Sequence, residues 1–191
     1  MNLLLILQEY ISSIGYKKRI KLLSQYVNPK SDDVILDIGG NTGKISAAYS
    51  QNKCKEVVVL DPKGKYIEYG RSRRSNIKFI EGGAESIPMP DEYFDSVVAS
   101  FSFHHLTDQD KGIEEMKRVL KPNGKIIIFE SNPNTGRGKM LKLVESLLHT
   151  GARFYSPFEL RKKFAVEHDL DIIDIYDISS LGYFLIATKR K

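Results

Sequence analysis

A cluster of glycines follows the apolar segment at residues 34–38, in the sequence Val34-Ile-Leu-Asp-Ile-Gly-Gly-Asn-Thr-Gly43. Glycine allows the backbone to turn sharply and lets a ligand approach without a Cβ in the way. The free N–H groups of a helix that begins after such a turn favour a polar or anionic group. The pattern therefore predicts a ligand site at the end of a buried strand, around Asp37, Gly39, Gly40, Asn41 and Gly43.

The spacing of these glycines separates the ligand classes that use such a turn. A P-loop needs a glycine, four residues and then Gly-Lys-Ser/Thr. Gly43-Lys44 is present, but Ile38 stands at the earlier glycine position and Ile45 at the position of the magnesium-binding hydroxyl. A nucleoside triphosphatase is therefore excluded. The dinucleotide fingerprint G-x-G-x-x-G also needs a glycine at position 38, which weakens the interpretation as a dinucleotide site. The pattern that remains is acidic-x-Gly-x-x-x-Gly, with Asp37 as the acid.

Further polar side chains stand where later strands are predicted to end. Asp61 closes the second apolar segment, 21 residues after Gly40. An acid about 20 residues past the glycine turn accepts hydrogen bonds from both hydroxyls of a ribose, and the alternative is a cap of the next helix. Ser100, His104 and His105 follow the fourth apolar segment. Because ligands collect at the carboxyl ends of strands in open α/β sheets, we expect these side chains to border one site.

The elements that position these residues alternate between strands and helices, which indicates βαβ units and a parallel sheet. The last two strands are joined only by Ser179-Ser180-Leu181-Gly182, too short for a parallel crossover, so this pair is predicted to be antiparallel. A capping box at Ser156-Pro157-Phe158-Glu159 predicts another helix start. The predicted strands are 34–38, 57–60, 77–80, 94–99, 125–129, 172–178 and 183–188, and the other predicted helices are 2–27, 44–50, 65–73, 109–120 and 139–148.

Composition and charge limit the classes of protein to which the chain can belong. The chain has 191 residues, 41% hydrophobic and 28% charged, which are ordinary values for one globular domain and exclude fibrous and disordered proteins. Cys54 is the single cysteine, so no intramolecular disulfide and no metal site is predicted, and a reducing, cytoplasmic compartment is expected. The longest apolar run, residues 3–7, is far shorter than the roughly 20 residues of a membrane span. The net charge of +5 is attributed to a lysine-rich surface, with an RNA partner as the alternative.

Four ordered motifs cover residues 32–130: LDIGGNTG, VVVLDPKGKYIEYGR, EGGAESIPMPDEYFDSVVASFSFHHL and EEMKRVLKPNGKIIIFES. Together they resemble the class I S-adenosylmethionine-dependent methyltransferases, in particular small-molecule enzymes similar to the ubiquinone/menaquinone C-methyltransferases. The resemblance implies a single-domain, Rossmann-like, three-layer α/β sandwich with a seven-stranded, mostly parallel sheet and an antiparallel last strand. It also implies S-adenosylmethionine as cofactor and S-adenosylhomocysteine as product. We expect residues 1–30 to form a helical lid and residues 31–191 the core.

The resemblance also assigns roles to site residues. It places Asp37 near the amino group of the methionine part, Asp61 on the ribose and the backbone N–H of Ala84 on adenine. Two positions depart from the family pattern: Asn41 replaces a glycine but tolerates a left-handed backbone, and Gly83 replaces an acid whose contact is missing or taken over by Glu85. The implied cofactor-binding set is Asp37, Gly39, Gly40, Asn41, Gly43, Asp61, Pro62, Gly83, Ala84, Glu85 and Ser100.

The expected chemistry is an in-line methyl transfer to a small-molecule acceptor, in which the protein supplies alignment and a dry cavity. A base is needed only for an acceptor that is protonated at neutral pH. His105 matches a histidine that recurs in the family and is the catalytic candidate, with a structural histidine as the alternative. The acceptor is expected between the N-terminal helix and residues 131–161, with a gating loop at 132–138. The aromatic candidates to line its pocket are Tyr10, Tyr16, Phe154, Tyr155 and Phe158.

Two other functions stay open at this point. An RNA or protein methyltransferase would use the basic clusters, but these are scattered along the chain, and Ser100-Phe101-Ser102-Phe103 stands where base- and glutamine-methylating relatives carry Asn/Asp-Pro-Pro-aromatic. A non-catalytic S-adenosylmethionine-binding protein is supported only by the departures at Asn41 and Gly83. The aspartates at 169, 171, 174 and 177 are attributed to an exposed edge strand, with a cation site as the alternative.

Overall fold

The computed structural model describes residues 16–51, 53–178 and 182–189. The strands are β1 (Val34–Ile38), β2 (Glu56–Asp61), β3 (Lys78–Glu81), β4 (Phe94–Ser100), β5 (Leu120–Glu130), β6 (Leu170–Asp177) and β7 (Tyr183–Lys189). The α-helices are α1 (Tyr16–Val27), α2 (Lys44–Ser50), α3 (Gly64–Arg73), α4 (Gln109–Val119), α5 (Gly136–Leu147) and α6 (Pro157–Lys162). A 3₁₀ turn covers Phe103–His105 and a π turn covers Lys163–Glu167.

The seven strands form one sheet in the order β3-β2-β1-β4-β5-β7-β6. The pairs β2–β3, β1–β2, β1–β4 and β4–β5 are parallel, whereas β7 is antiparallel to both β5 and β6. The predicted α/β fold with an antiparallel last strand is therefore confirmed. Because β1, β2 and β4 are neighbours and run the same way, the loops that follow them meet at one edge of the sheet.

Helices cover both faces of the sheet, since alternate side chains of each buried strand point to opposite sides. On one face, Leu36 and Val97 pack in a cluster with Ile113 and Met116 of α4 and with Leu160 of α6. On the other face, α1 and α2 contribute to a cluster around β1, β4 and β5, and α3 packs beside β2 and β3. The sheet with its two helical layers is the three-layer sandwich that the sequence predicted.

Several element boundaries differ from the prediction. Helix α4 ends at Val119 and β5 begins at Leu120, whereas the sequence predicted a helix to residue 120, turn residues at 121–124 and a strand only from residue 125. Leu120 is fully buried and pairs with Phe94, so core packing overrides the local turn signal. Helix α5 begins at Gly136, inside the predicted gating loop, because the Thr135 side chain caps it by accepting a hydrogen bond from Gly138 N at 3.1 Å.

The two ends of the chain bear on further predictions. Helix α1 covers the second part of the helix predicted over 2–27, and the earlier residues lie outside the described ones, so the lid at 1–30 stays a prediction. Strand β6 is the outer strand of the sheet, which confirms the edge interpretation of the aspartates along it. None of the helices in the described ranges is both long and apolar enough to cross a membrane.

Candidate active site

A cleft opens where the loops after β1, β2, β3 and β4 meet. Its lining includes Leu60 and Lys63 from the β2 end, Ser102 and Thr107 from the segment after β4, and eight of the predicted site residues. Those eight are Gly39, Asn41, Asp61, Pro62, Gly83, Ala84, Glu85 and His105. The other four predicted residues, Asp37, Gly40, Gly43 and Ser100, lie behind or beside this lining.

The glycine turn has a close neighbour in the segment that follows β4. Gly39 has a φ of 66°, and a Cβ at this position would lie 2.4 Å from Ser102 Cβ. The Ser102 hydroxyl donates a hydrogen bond to Ile38 O at 2.6 Å, and Gly39 N donates to Leu60 O at 2.7 Å. Asn41 has a φ of 54°, so its predicted tolerance of the left-handed backbone is confirmed. The turn is thus fixed between the ends of β2 and β4.

Gly40 and Gly43 face the protein interior. A Cβ on Gly40 would lie 3.0 Å from Val59 and 3.1 Å from the Asp37 carboxyl carbon. Gly43 has a φ of 72°, and a Cβ there would lie 2.8 Å from the ring of Phe79. These two glycines let α2 pack closely against the sheet.

Asp37 lies behind the glycine turn and is only 3% exposed. Its Oδ2 accepts hydrogen bonds from Ser46 Oγ at 2.6 Å and from Tyr49 OH at 3.2 Å, both on α2. Burial raises the pKa of Asp37 to about 6, because a charged carboxylate is poorly solvated there. Asp37 therefore joins the end of β1 to α2 and supplies a negative charge just beneath the cleft.

Asp61 lies on the cleft wall at the end of β2. Asn41 N donates to its Oδ2 at 3.1 Å and Lys63 N donates to its Oδ1 at 2.9 Å. Burial raises the pKa of this carboxyl, while the two backbone N–H groups act in the opposite direction. Each carboxylate oxygen has a second lone pair, so Asp61 is able to accept two further hydrogen bonds from a diol in the cleft.

The loop after β3 forms the opposite wall. Glu85 Oε1 accepts hydrogen bonds from Thr107 N at 2.8 Å and from Asp108 N at 3.2 Å, which joins this loop to the segment after β4. A Cβ on Gly83 would lie 2.7 Å from Glu85 Oε2. The Glu85 carboxylate therefore occupies the space beside Gly83, where the family pattern has an acidic side chain.

His105 lies on the cleft wall, and its neighbour His104 is buried behind it. Partial burial and His104 lower the pKa of His105. Nδ1 of His104 donates a hydrogen bond to Glu130 Oε2 at 2.7 Å, and the carboxylate determines which ring nitrogen carries the proton. Sequence reasoning missed Glu130, although its place at the end of a buried strand is the same signal that identified Asp61.

Helix α1 reaches the site through Arg19. Its Nε donates to Ser100 Oγ at 3.0 Å, its Nη2 donates to Ser100 O at 2.6 Å, and its guanidinium lies 4.9 Å from the centre of the Phe101 ring. Ser100 thus contacts α1 and not the cleft. No sequence pattern singled out Arg19 as a member of the site, because its partner lies 81 residues away.

The predicted pocket aromatics do not form one group. Phe154 stacks on His104 with ring centres 4.4 Å apart. Tyr155 packs against the main core and donates to Gln109 Oε1 at 2.9 Å. Phe158 is 77% exposed on α6. Tyr10 and the side chain of Tyr16 lie outside the described part of the chain.

Comparisons with known proteins identify methyltransferases that are similar to this chain. Residues 36–128 match the methyltransferase domain family. Over 116 residues the chain is 34% identical to the ubiquinone/menaquinone biosynthesis C-methyltransferase of Pseudomonas putida (strain GB-1), an alignment that covers 56% of this chain and 45% of that protein. The chain therefore spans about half the length of the curated relatives it matches.

Solved structures share the fold at low identity. A methyltransferase of Aquifex aeolicus that depends on S-adenosylmethionine superposes with a TM-score of 0.72 at 18% identity, covering 90% of this chain and 89% of that one. A chain from the complex between the Haloferax volcanii Trm112 methyltransferase activator and a methyltransferase gives a TM-score of 0.85 at 15% identity, covering 96% and 94%. Residues 36–128 of the protein form a methyltransferase domain, and the chain has the fold of the class I S-adenosylmethionine-dependent methyltransferases. Within that class, its sequence is similar to the ubiquinone/menaquinone C-methyltransferases.

Proposed function

We propose that this protein transfers the methyl group of S-adenosylmethionine to a small-molecule acceptor and releases S-adenosylhomocysteine. The observation that carries the proposal is Asp61, a carboxylate on the cleft wall that two backbone N–H groups hold in place. The cofactor supplies a sulfonium leaving group, and the protein aligns the reactants and excludes water. The transfer is an in-line displacement, and an acceptor that carries a proton on the attacking atom loses that proton as the methyl group is transferred.

The residues around the cleft fit this cofactor. Asp61 accepts hydrogen bonds from the ribose hydroxyls, and the turn at Gly39 leaves room for the methionine part. Ala84 and Glu85 border the adenine, and Asp37 provides negative charge beneath the turn for a ligand that carries a sulfonium and an ammonium. We extend the proposal to the N-terminal region: residues 1–30 cover the acceptor, because Arg19 fixes α1 beside Ser100.

The basic residues favour a small-molecule acceptor over RNA, because several of them make contacts within the protein. Arg19 binds Ser100, Arg71 Nη2 donates to Phe79 O at 2.8 Å, and the Lys163 side chain is 8% exposed and paired with Asp110. The sequence has four basic clusters, at residues 17–19, 71–74, 161–163 and 189–191, and these three side chains belong to the first three of them. Their internal contacts reduce the charge that a continuous nucleic-acid surface would need.

The proposal is tested with S-adenosylmethionine carrying a labelled methyl group and three acceptor classes. Small quinols, phenols and amines form the first class, bulk tRNA and rRNA the second, and a denatured protein mixture the third. We expect label in the small molecules alone. Label in RNA or protein supports the rival transferase, and cofactor binding without transfer to any class supports a non-catalytic binder.

His105 is proposed to contact the acceptor, because it lies on the cleft wall in the segment after β4. In the same assay, His105→Ala should lower kcat by about 100-fold, the lower end of the range for a positioned general acid or base. His149→Ala, an exposed histidine outside the cleft, is the matched control and should leave kcat unchanged. An unchanged kcat in His105→Ala would remove His105 from the proposed machinery.

A further inference from the structure

Three side chains with metal-binding groups converge beside the cleft. His104 and His105 come from the turn after β4, and Glu145 comes from α5. One ligand atom from each of the three lies within 4.8 Å of the other two. Zinc bonds to imidazole nitrogen and carboxylate oxygen are about 2.0–2.2 Å long, so binding of one ion by all three atoms would draw these side chains closer together.

The deepest of these side chains, His104, has the hydrogen-bond partner that metal-binding histidines usually have. Its Nδ1 donates to the buried carboxylate of Glu130 at 2.7 Å, which leaves Nε2 of His104 with the free lone pair. A carboxylate on the second ring nitrogen is the usual partner of a metal-binding histidine, because it fixes the tautomer and makes the imidazole more basic. His104 is 4% exposed and Glu130 is 4% exposed, so this arrangement is shielded from water.

The packing around His104 holds its ring in one orientation. Phe154 stacks on one side with an interplanar angle of 19°, and the His105 ring centre lies 4.1 Å away. Arg153 N donates to His104 O at 2.8 Å, which fixes the backbone of the turn. The first ligand is therefore rigid before any ion binds, and this lowers the entropy that binding would cost.

Helix α5 presents its acidic side chain to the histidines and its leucines to solvent. Glu145 is half-buried beside His104 and His105, whereas Leu143 is 59% exposed, Val144 44% and Leu147 68%. An amphipathic helix normally turns its apolar stripe toward the protein. This reversed orientation places a carboxylate beside two imidazoles, as a metal site requires.

We propose that His104, His105 and Glu145 bind a divalent transition-metal ion of the zinc type. Two imidazoles and one carboxylate suit Zn²⁺ and its neighbours Co²⁺, Ni²⁺ and Fe²⁺, whereas Mg²⁺ and Ca²⁺ prefer oxygen ligands alone. Three protein ligands leave a coordination position open. Since His105 also lines the cleft, that position is near the acceptor.

The ion changes what His105 is able to do. A bound ion takes the lone pair that a general base needs, so general-base action by His105 and metal binding exclude each other. With an ion present, an acceptor hydroxyl is activated by coordination, because a Lewis acid lowers the pKa of an oxygen bound to it. This use of the ion rests on the proposed methyl transfer, whereas the binding of the ion does not.

The test measures binding without cofactor or acceptor. Untagged protein is freed of metal with a chelator, the chelator is removed, and Co²⁺ is titrated while visible absorption is recorded, followed by displacement with Zn²⁺. We expect saturation at one ion per chain. His105→Ala and Glu145→Gln, which alter exposed or half-buried side chains, should each weaken binding by at least about 10-fold, and Glu130→Gln by about 10–100-fold through the orientation of His104.

His149→Ala is the matched control, because His149 is an exposed histidine just after α5 and lies outside the cluster. It should leave the affinity unchanged, and circular dichroism confirms that each variant is folded. The proposal is overturned when wild-type protein shows no saturable Co²⁺ binding. It is also overturned when His105→Ala and Glu145→Gln bind as tightly as wild type, or when His149→Ala weakens binding as much as they do. Methyl transfer plays no part in this readout, so either proposal is able to fail alone.

Discussion

At the scale of single residues, the buried carboxyl of Asp37 makes the stability of the protein depend on pH. Its pKa of about 6 lies above the ordinary value of 3.8, because burial disfavours the charged form. The folded state therefore binds the proton more tightly than the unfolded state does. The stabilisation is fully present below about pH 4 and is lost as the pH rises through about 6.

Asp37→Asn removes this dependence while keeping the shape of the side chain. Relative to wild type, the variant should gain roughly 3 kcal/mol in free energy of unfolding between pH 4 and pH 7, from about two pKa units at 1.36 kcal/mol each. Urea unfolding of both proteins at four pH values in this range measures the gain. A difference that stays constant across the range would show that Asp37 is not the buried acid responsible.

Gly39 is predicted to tolerate no side chain. Its φ of 66° costs about 1–2 kcal/mol for any other L-residue, and a Cβ would meet Ser102 Cβ at 2.4 Å. Gly39→Ala should therefore lower the free energy of unfolding by more than about 2 kcal/mol and weaken S-adenosylmethionine binding. Gly136→Ala is the control, because a Cβ there meets nothing within 4 Å; it should be neutral or stabilise α5 by up to about 1 kcal/mol. Equal unfolding midpoints for the two variants would contradict this account of the turn.

The site residues that sequence spacing identifies are those whose role is local. Gly39, Asn41 and Asp61 stand at strand ends and carry a recognisable pattern. Arg19 and Glu130 act through partners 81 and 26 residues away, so their roles depend on which elements are neighbours in space. Asp37 lies between these two cases. The sequence pattern identified it as a site residue, but the structure places it behind the cleft wall, where it accepts hydrogen bonds from α2.

At the scale of elements, one arginine on α4 holds the loop that carries Ala84 and Glu85. Nε and Nη2 of the Arg118 guanidinium donate hydrogen bonds to the two carboxylate oxygens of Glu115. The same guanidinium also donates to Ile87 O at 2.8 Å and to Met89 O at 2.9 Å. Glu115 Oε2 accepts in turn from Ile87 N at 2.8 Å. These contacts fix residues 82–92 against α4 and so fix one wall of the cleft.

Arg118→Lys should loosen this loop, because an ammonium lacks the planar fork that reaches both partners. We expect a loss of about 1.5–3 kcal/mol in free energy of unfolding, the range for hydrogen bonds to charged groups. Amide hydrogen exchange across residues 82–92 should become faster. Lys111→Ala, an exposed position on the same helix, should change neither quantity, and unaltered exchange in Arg118→Lys would contradict the role given to the arginine.

Element boundaries show where local signals fail. Lys121-Pro122-Asn123-Gly124 reads as a turn, yet β5 includes it, with a register shift between Phe94 and Ser96 on the partner strand. Because of this register shift, Leu120 is buried in the core and the turn-forming residues 121–124 still fit within the strand. Only the three-dimensional position of β4 determines this outcome, so no window of sequence contains it.

At the scale of the whole molecule, the sequence is sufficient for the class of fold, whereas it did not predict the order of the strands in the sheet. Short apolar segments that alternate with helices predict a parallel sheet, and a four-residue joint predicts the antiparallel final pair. Each predicted strand has a counterpart in the described structure, with ends that differ by a few residues at most sites. The surroundings of the acceptor could not be predicted in the same way, because they depend on which side chains of α1 and α5 lie beside the segment after β4.

The central claim is that Asp61 holds the ribose of S-adenosylmethionine, and calorimetric titration of the cofactor into matched variants tests it most directly. Wild-type protein and Asp32→Ala, which removes an exposed acid ahead of β1, should bind with equal affinity. Asp61→Ala should bind at least about 10-fold more weakly, because charge-assisted hydrogen bonds to the diol are lost. Thermal unfolding verifies that Asp61→Ala is folded. Undiminished affinity in folded Asp61→Ala, or no binding by the wild-type protein, would contradict the account.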